Sequence, residues 1–141
     1  MTREFEDCLK QRKIMEFERA PDLAPKELDE AAADLRSSEA SFADQNFKWA
    51  IIQAYYSMFH TARALIYVRG YRERSHHCLF IAIRALYVTE GLLGVSLLES
   101  FKLAKKLREN ADYYGEFSEA AASQLIEDAK EFFKIARKSL K

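Results

Sequence analysis

Residues 46–69, "NFKWAIIQAYYSMFHTARALIYVR", run without a glycine or a proline. Trp49, Ile52, Tyr56, Phe59 and Ile66 recur at helical spacing. Ile51, Tyr55, Met58, Ala62 and Leu65 form a second stripe beside the first. A helix apolar on so much of its circumference must be covered on several sides, so it belongs at the centre of a bundle. Gln53, Ser57 and His60 make a narrow polar line between the stripes, and Arg63 sits where that line meets the aromatic stripe. The segment is long enough to span a membrane. Gln53, His60 and Arg63 within it argue instead for a buried helix of a soluble protein with no membrane partner.

The remaining chain continues the pattern. Only 4 glycines and 2 prolines occur in 141 residues, which favours long uninterrupted helices. Residues 2–19 read as a helix that "APDLAP" breaks, and 26–43 as a second, with Pro25 near its start. Gly70 ends the central helix. Ser75 suits an N-cap for a helix over 76–90. A helix over 96–114 carries Leu97, Phe101, Ala104 and Ala111 inward and stops at Gly115. Ser118 caps the last helix, whose core stripe is Ala122, Leu125, Ala129, Phe132 and Ala136. No segment alternates with period two, so no sheet is expected. The expected fold is a single all-α, largely antiparallel bundle of five or six helices: an N-terminal helix and connector over 1–25 and a core bundle over 26–141.

Charge and cysteine usage narrow the class. Formal net charge is +0, yet residues 1–45 hold 7 basic and 12 acidic side chains, and residues 46–141 hold 15 and 10. A globally basic nucleic-acid binder is excluded, and a local basic patch on the second part is not. Cys8 and Cys78 stand alone, without a CxxC pair. Isolated cysteines and a charged N-terminus fit a reduced, cytosolic protein.

Four clusters carry possible chemistry. Ser75-His76-His77-Cys78 lacks metal-site spacing, since adjacent histidines diverge by roughly 100° on a helix; no metal or cofactor is expected. Gln53, Ser57, His60 and Arg63 make either a satisfied polar seam or a polar groove. Arg69, Arg72, Arg74, His76 and His77 form a basic run that is either solvated or able to meet phosphates. In "KKLRENADYYGEF", residues 105–117, Arg108 leans toward the core face with Asp112 one turn on, and Tyr113 and Tyr114 fill the last turn. Local physics reads this stretch as an ion pair bracing a helix end.

Residues 54–80, "AYYSMFHTARALIYVRGYRERSHHCLF", followed by "LRENADYYGEF" at 107–117, resemble the HEPN domain family, most closely its small stand-alone archaeal and bacterial proteins. The resemblance implies a helical homodimer. It also implies a metal-independent ribonuclease site, Arg then four to six residues then His, repeated across a dimer cleft, and often a small nucleotidyltransferase partner. In such a site histidine moves the proton of a 2′-hydroxyl and arginine stabilises a pentavalent phosphate. The arginine maps onto Arg108. The histidine falls at Tyr113, Tyr114 or Gly115, and none follows His77. Tyrosine, with a pKa near ~10, is a poor base at neutral pH. Arg72 and His77 have the Arg-to-His spacing but lie in a different connection.

The resulting expectation is a non-catalytic HEPN protein. It binds a nucleotide or RNA phosphate through Arg108, Asp112, Tyr113, Tyr114, His60 and Arg63, with Arg72, His76 and His77 as secondary candidates, or it serves as the helical partner of a minimal nucleotidyltransferase. The alternatives are an active ribonuclease toxin and a pure interaction bundle.

Overall fold

A computed structural model describes residues 2–140. Among them are six helices and one small sheet: α1 (Arg3–Lys10), β1 (Ile14–Glu16), α2 (Ala20–Ala43), α3 (Phe47–Val68), β2 (Tyr71–Glu73), α4 (His76–Ile83), α5 (Val95–Tyr114) and α6 (Glu119–Ser139). No helix among these residues is long and apolar enough to cross a membrane.

The central helix is α3, buried against α2, α5 and α6. Its second stripe, Ile51, Tyr55, Met58, Ala62 and Leu65, is wholly internal. The first stripe divides, because Trp49 and Tyr56 emerge at the surface while Ile52 and Ile66 stay inside. The hairpin of α2 and α3 is antiparallel and is fastened by side chains. Ser38 donates to the Ala50 carbonyl at 2.6 Å and Ser57 to the Ala31 carbonyl at 2.9 Å. Ser41 and Gln53 are bonded at 2.7 Å. The polar line of α3 is therefore mostly an internal seam. Each buried hydroxyl has a carbonyl to meet, which is what makes its burial tolerable.

Three expectations are corrected. First, α2 begins at Ala20, so "APDLAP" lies inside it. Pro21 sits in the first turn, where its missing N–H costs nothing. Pro25 forgoes one bond, to a carbonyl of that same turn, while Ala20, Ala24, Ala31 and Ser38 bury the face against α3. Second, a sheet exists. β1 and β2 are antiparallel, with Ile14 opposite Glu73, Met15 opposite Arg72 and Glu16 opposite Tyr71. Third, Cys8 and Cys78 are joined by a disulfide, their Cα atoms 5.9 Å apart. The bond pins α1 to α4, and Phe5 of α1 packs edge-on to Tyr71 at 5.3 Å.

The helix expected over 76–90 is α4 followed by one π-helical turn, Arg84–Val88. That turn swings the Tyr87 hydroxyl onto the Leu65 carbonyl at 2.6 Å. The last two helices match the reading of their ends. Gly115 takes a φ of 65°, where a side chain would be strained, and Glu116 N–H returns to the Asn110 carbonyl at 3.0 Å. Ser118 caps α6 by accepting from Ala121 N–H at 3.0 Å.

Candidate anion site around Arg108

Arg108 is three turns into α5, with only 15% of its side chain exposed. Phe101, Ala104 and Ala111 are buried in the core, and this heptad-like spacing directs Arg108 back over α3. Its guanidinium lies over three rings: Tyr55 at 5.2 Å, Tyr56 at 5.8 Å and Tyr113 at 5.9 Å. Arginine stacks well on aromatic faces because its charge is delocalised and weakly hydrated. Asp112 approaches only to 3.7 Å, and the buried Nε has no hydrogen-bond partner. A permanent charge is thus held mainly by rings, with one long ion pair to Asp112.

Beside it the surface is basic and aromatic. Lys102, Lys105, Lys106, Tyr113 and Tyr114 line a cleft of about 350 Å³ with Glu109 and Asn110, and Tyr113 joins that cleft to Arg108. Lys105 is held by Glu109 at 3.0 Å and Lys102 by Glu99 at 3.8 Å. Lys106 has no carboxylate partner among the described residues. Tyr113 and Tyr114 are 65% and 72% exposed, since Gly115 releases the chain before either ring can be covered.

The other candidates separate into distinct surroundings. His60 and Arg63 belong to a carboxylate network on the α2 side. His60 Nδ1 meets Glu27 at 2.6 Å and its Nε2 lies 3.7 Å from Asp34. Arg63 pairs with Glu73 at 3.3 Å and Glu27 at 3.5 Å and donates to the Tyr67 hydroxyl. The sequence reading grouped these two with Arg108, but they are already engaged by three carboxylates. Arg72 and His77 are also apart. Arg72 covers the Phe17 ring at 5.5 Å, and His77 lines a different cleft beside the disulfide.

His76 is the histidine brought to Arg108. Its Nδ1 is 2.9 Å from the Tyr55 hydroxyl, and its ring stacks on Phe59 at 5.1 Å. Tyr55 is fully buried, and its hydroxyl meets no other acceptor among the described residues. It therefore donates to Nδ1, which fixes the imidazole proton on Nε2. The signal for this pairing lay in the sequence only as two fragments, Tyr55 mid-helix and His76 just after a cap, with nothing to join them.

Burial holds His76 below its ordinary pKa, reinforced by the positive charges of Lys105 and Arg108, while Glu109 works weakly the other way. A histidine depressed in the fold stabilises the native state in its neutral form. That contribution is present above the unfolded pKa of ~6.5 and is lost as pH falls through it toward the folded value. The stability difference between wild type and His76→Gln should therefore shrink as pH is lowered from 8 to 5. Urea unfolding at three pH values measures it, and a difference constant with pH would contradict the assignment.

The chain belongs to the HEPN domain family, whose model matches residues 25–139. Among curated proteins it is similar to two from Methanocaldococcus jannaschii. One, named "Putative toxin MJ0605", is 26% identical over 112 residues, covering 79% of this chain and 84% of the relative. The other, named "Putative toxin MJ0142", is 28% identical over 101 residues, covering 72% and 68%. A UPF0332 protein of Archaeoglobus fulgidus is 28% identical over 124 residues, covering 80% and 97%. Helix α1, β1 and Cys8 lie outside the matched region.

Proposed function

We propose that this HEPN protein binds the phosphate of a nucleotide or RNA at Arg108 and the adjoining lysine–tyrosine cleft without cleaving it. One observation carries the reading: Arg108 is packed on tyrosine rings with a single carboxylate at 3.7 Å and a buried Nε without a partner, whereas Arg63 meets two carboxylates and the Tyr67 hydroxyl. Its fork can grip a phosphate in two places, and exposed Tyr113 and Tyr114 offer faces on which a base can stack. The toxin names of two relatives support a toxin-like role, and the resemblance to the family points to a minimal nucleotidyltransferase as the partner class.

Calorimetric titration with a mononucleotide and a short RNA at low salt tests this. Wild type should bind both, and Arg108→Ala should lose at least tenfold in affinity. If the Arg108–Asp112 pair were only a half-exposed brace, its removal would cost under about 1 kcal/mol of stability and leave binding unchanged. A second reading, ribonuclease activity, is favoured by the Tyr55–His76 pair, which places an imidazole next to Arg108. Metal-independent cleavage of single-stranded RNA that disappears in His76→Ala would replace the binding reading with that one; none above a buffer control is expected.

A two-fold dimer belongs to the same proposal. Trp49, Tyr56, Leu103 and Phe117 are large side chains left exposed, apolar surface that a second copy of the chain can cover. Light scattering at micromolar concentration should give twice the 16.4 kDa chain mass. A monomer would end the dimer proposal.

A further inference from the structure

Helix α1 is two turns long, too short to persist alone in water. It packs chiefly on α4 and β1, whereas α2, α3, α5 and α6 pack on one another. Phe5 and Cys8 are its buried residues, Leu9 is partly covered, and Glu4, Glu6 and Asp7 face solvent. No ion pair or side-chain hydrogen bond joins α1 to another element among the described residues. Its anchors are therefore Phe5 on Tyr71 and Cys8 on Cys78. Between α1 and β1 the chain turns at Arg12, a non-glycine residue held at a φ of 59°, where a side chain is strained. Release of α1 would relieve that strain, so Arg12 is a natural hinge.

The two anchors bracket one turn. Tyr71 is in β2, Cys78 is the third residue of α4, and Ser75 and His76 lie between them. Ser75 accepts from Cys78 N–H at 3.1 Å, and His76 Nδ1 meets the Tyr55 hydroxyl at 2.9 Å. From this placement we infer that the Cys8–Cys78 disulfide is a redox latch: exchange with a small dithiol releases α1 as a unit and unpins His76 from Tyr55. The latch does not depend on a ligand at Arg108. Both sulfurs are buried at a cleft of about 180 Å³ lined by Glu4, Asp7, Gln11, His77 and Ile81, so the reductant enters as α1 opens. One thiolate of the dithiol attacks Cys8 Sγ, the Cys8–Cys78 bond breaks, and Cys78 leaves as a thiolate. The direction follows from the helices. Cys78 is in the first turn of α4, where an anion is favoured, and Cys8 is in the last turn of α1, where it is not. The second thiol of the reductant then displaces Cys8, closing the reductant into its own disulfide. Two electrons pass to the protein, and the two protons of the dithiol end on Cys8 and Cys78.

The test treats the oxidised full chain with dithiothreitol and no denaturant. Alkylation followed by mass measurement should count two new thiols. Amide hydrogen exchange should then show residues 3–10 losing at least tenfold protection while α3 and α5 keep theirs. Nitrogen shifts of the His76 ring should show the Nε2–H tautomer alone in the oxidised protein and both tautomers in the reduced one. Phe5→Ala, which leaves the bond as the main anchor, should be reduced about tenfold faster, since α1 opens more often. Cys8→Ala/Cys78→Ala should show the reduced pattern and ignore dithiothreitol. Absence of new thiols in wild type and Phe5→Ala alike would overturn the exchange. Unchanged protection of α1, or a single His76 tautomer in both states, would make the bond a static brace and end the latch. Protection lost throughout α3 and α5 would end it too, because the bond would then hold the whole bundle and not α1.

Discussion

Reduction of the Cys8–Cys78 bond is expected to lower the unfolding free energy by about 4 kcal/mol. The two cysteines are separated by 70 residues. Closing a loop of that length in the unfolded chain removes entropy worth roughly 4 kcal/mol on the chain-entropy account. That is a large share of the ~5–15 kcal/mol that holds a domain of this size together. Both sulfurs are buried, so the bond is protected until α1 lifts away. Urea unfolding with and without dithiothreitol measures the effect. The double variant Cys8→Ala/Cys78→Ala should unfold at the reduced protein's midpoint and ignore the reductant. Coincident transitions for oxidised and reduced wild type, or two thiols titratable in the native protein, would refute the bond. A functional consequence follows from where the bond lands: Cys78 is two residues beyond His76, so α1 buttresses the helix start that presents His76 to Tyr55.

Helices whose signal is local were legible in the sequence. The run of α3 has no breaker, α5 ends at a glycine that accepts a positive φ, and Ser75 and Ser118 cap because their hydroxyls reach the third residue on. What escaped was tertiary. Three-residue strands such as Ile14–Glu16 and Tyr71–Glu73 are too short to show a period of two, and they form because α1 and the end of α3 bring them together. The disulfide was invisible for the same reason, since isolated cysteines carry no spacing. "APDLAP" misled because two prolines outweigh two alanines in a local reading, whereas Ala20 and Ala24 bury fully against α3 and keep the helix going. Near Arg108, helical spacing placed Asp112 and Tyr113 but not Tyr55 and Tyr56, which come from α3. The engagement of His60 and Arg63 was not legible either, because Glu27, Asp34 and Glu73 come from other elements.

Tyr55 is where the core and the site share one side chain, and its two substitutions should separate them. The residue is fully buried, its ring 5.1 Å from Tyr56, 6.3 Å from Phe59 and 6.1 Å from Phe101, with Arg108 on its face. Burial also raises its pKa well above the usual tyrosine value, so it stays a neutral donor to His76 across the working pH range. Tyr55→Ala deletes a large aromatic at the centre of the bundle and should destabilise by ~3–5 kcal/mol, as ring-to-alanine changes in cores do. Tyr55→Phe keeps the ring, the packing and the platform under Arg108. It removes one hydrogen bond to a partly exposed imidazole, which should cost only ~1 kcal/mol. The phenylalanine variant should therefore bind a mononucleotide nearly as wild type does, because Arg108 still rests on an aromatic face. Chemical denaturation and the titration read these effects independently. A Tyr55→Phe protein as unstable as Tyr55→Ala would mean that the hydroxyl, not the ring, organises this part of the bundle. Mononucleotide binding lost with the hydroxyl would mean that Arg108 depends on the Tyr55–His76 hydrogen bond and not on the ring alone.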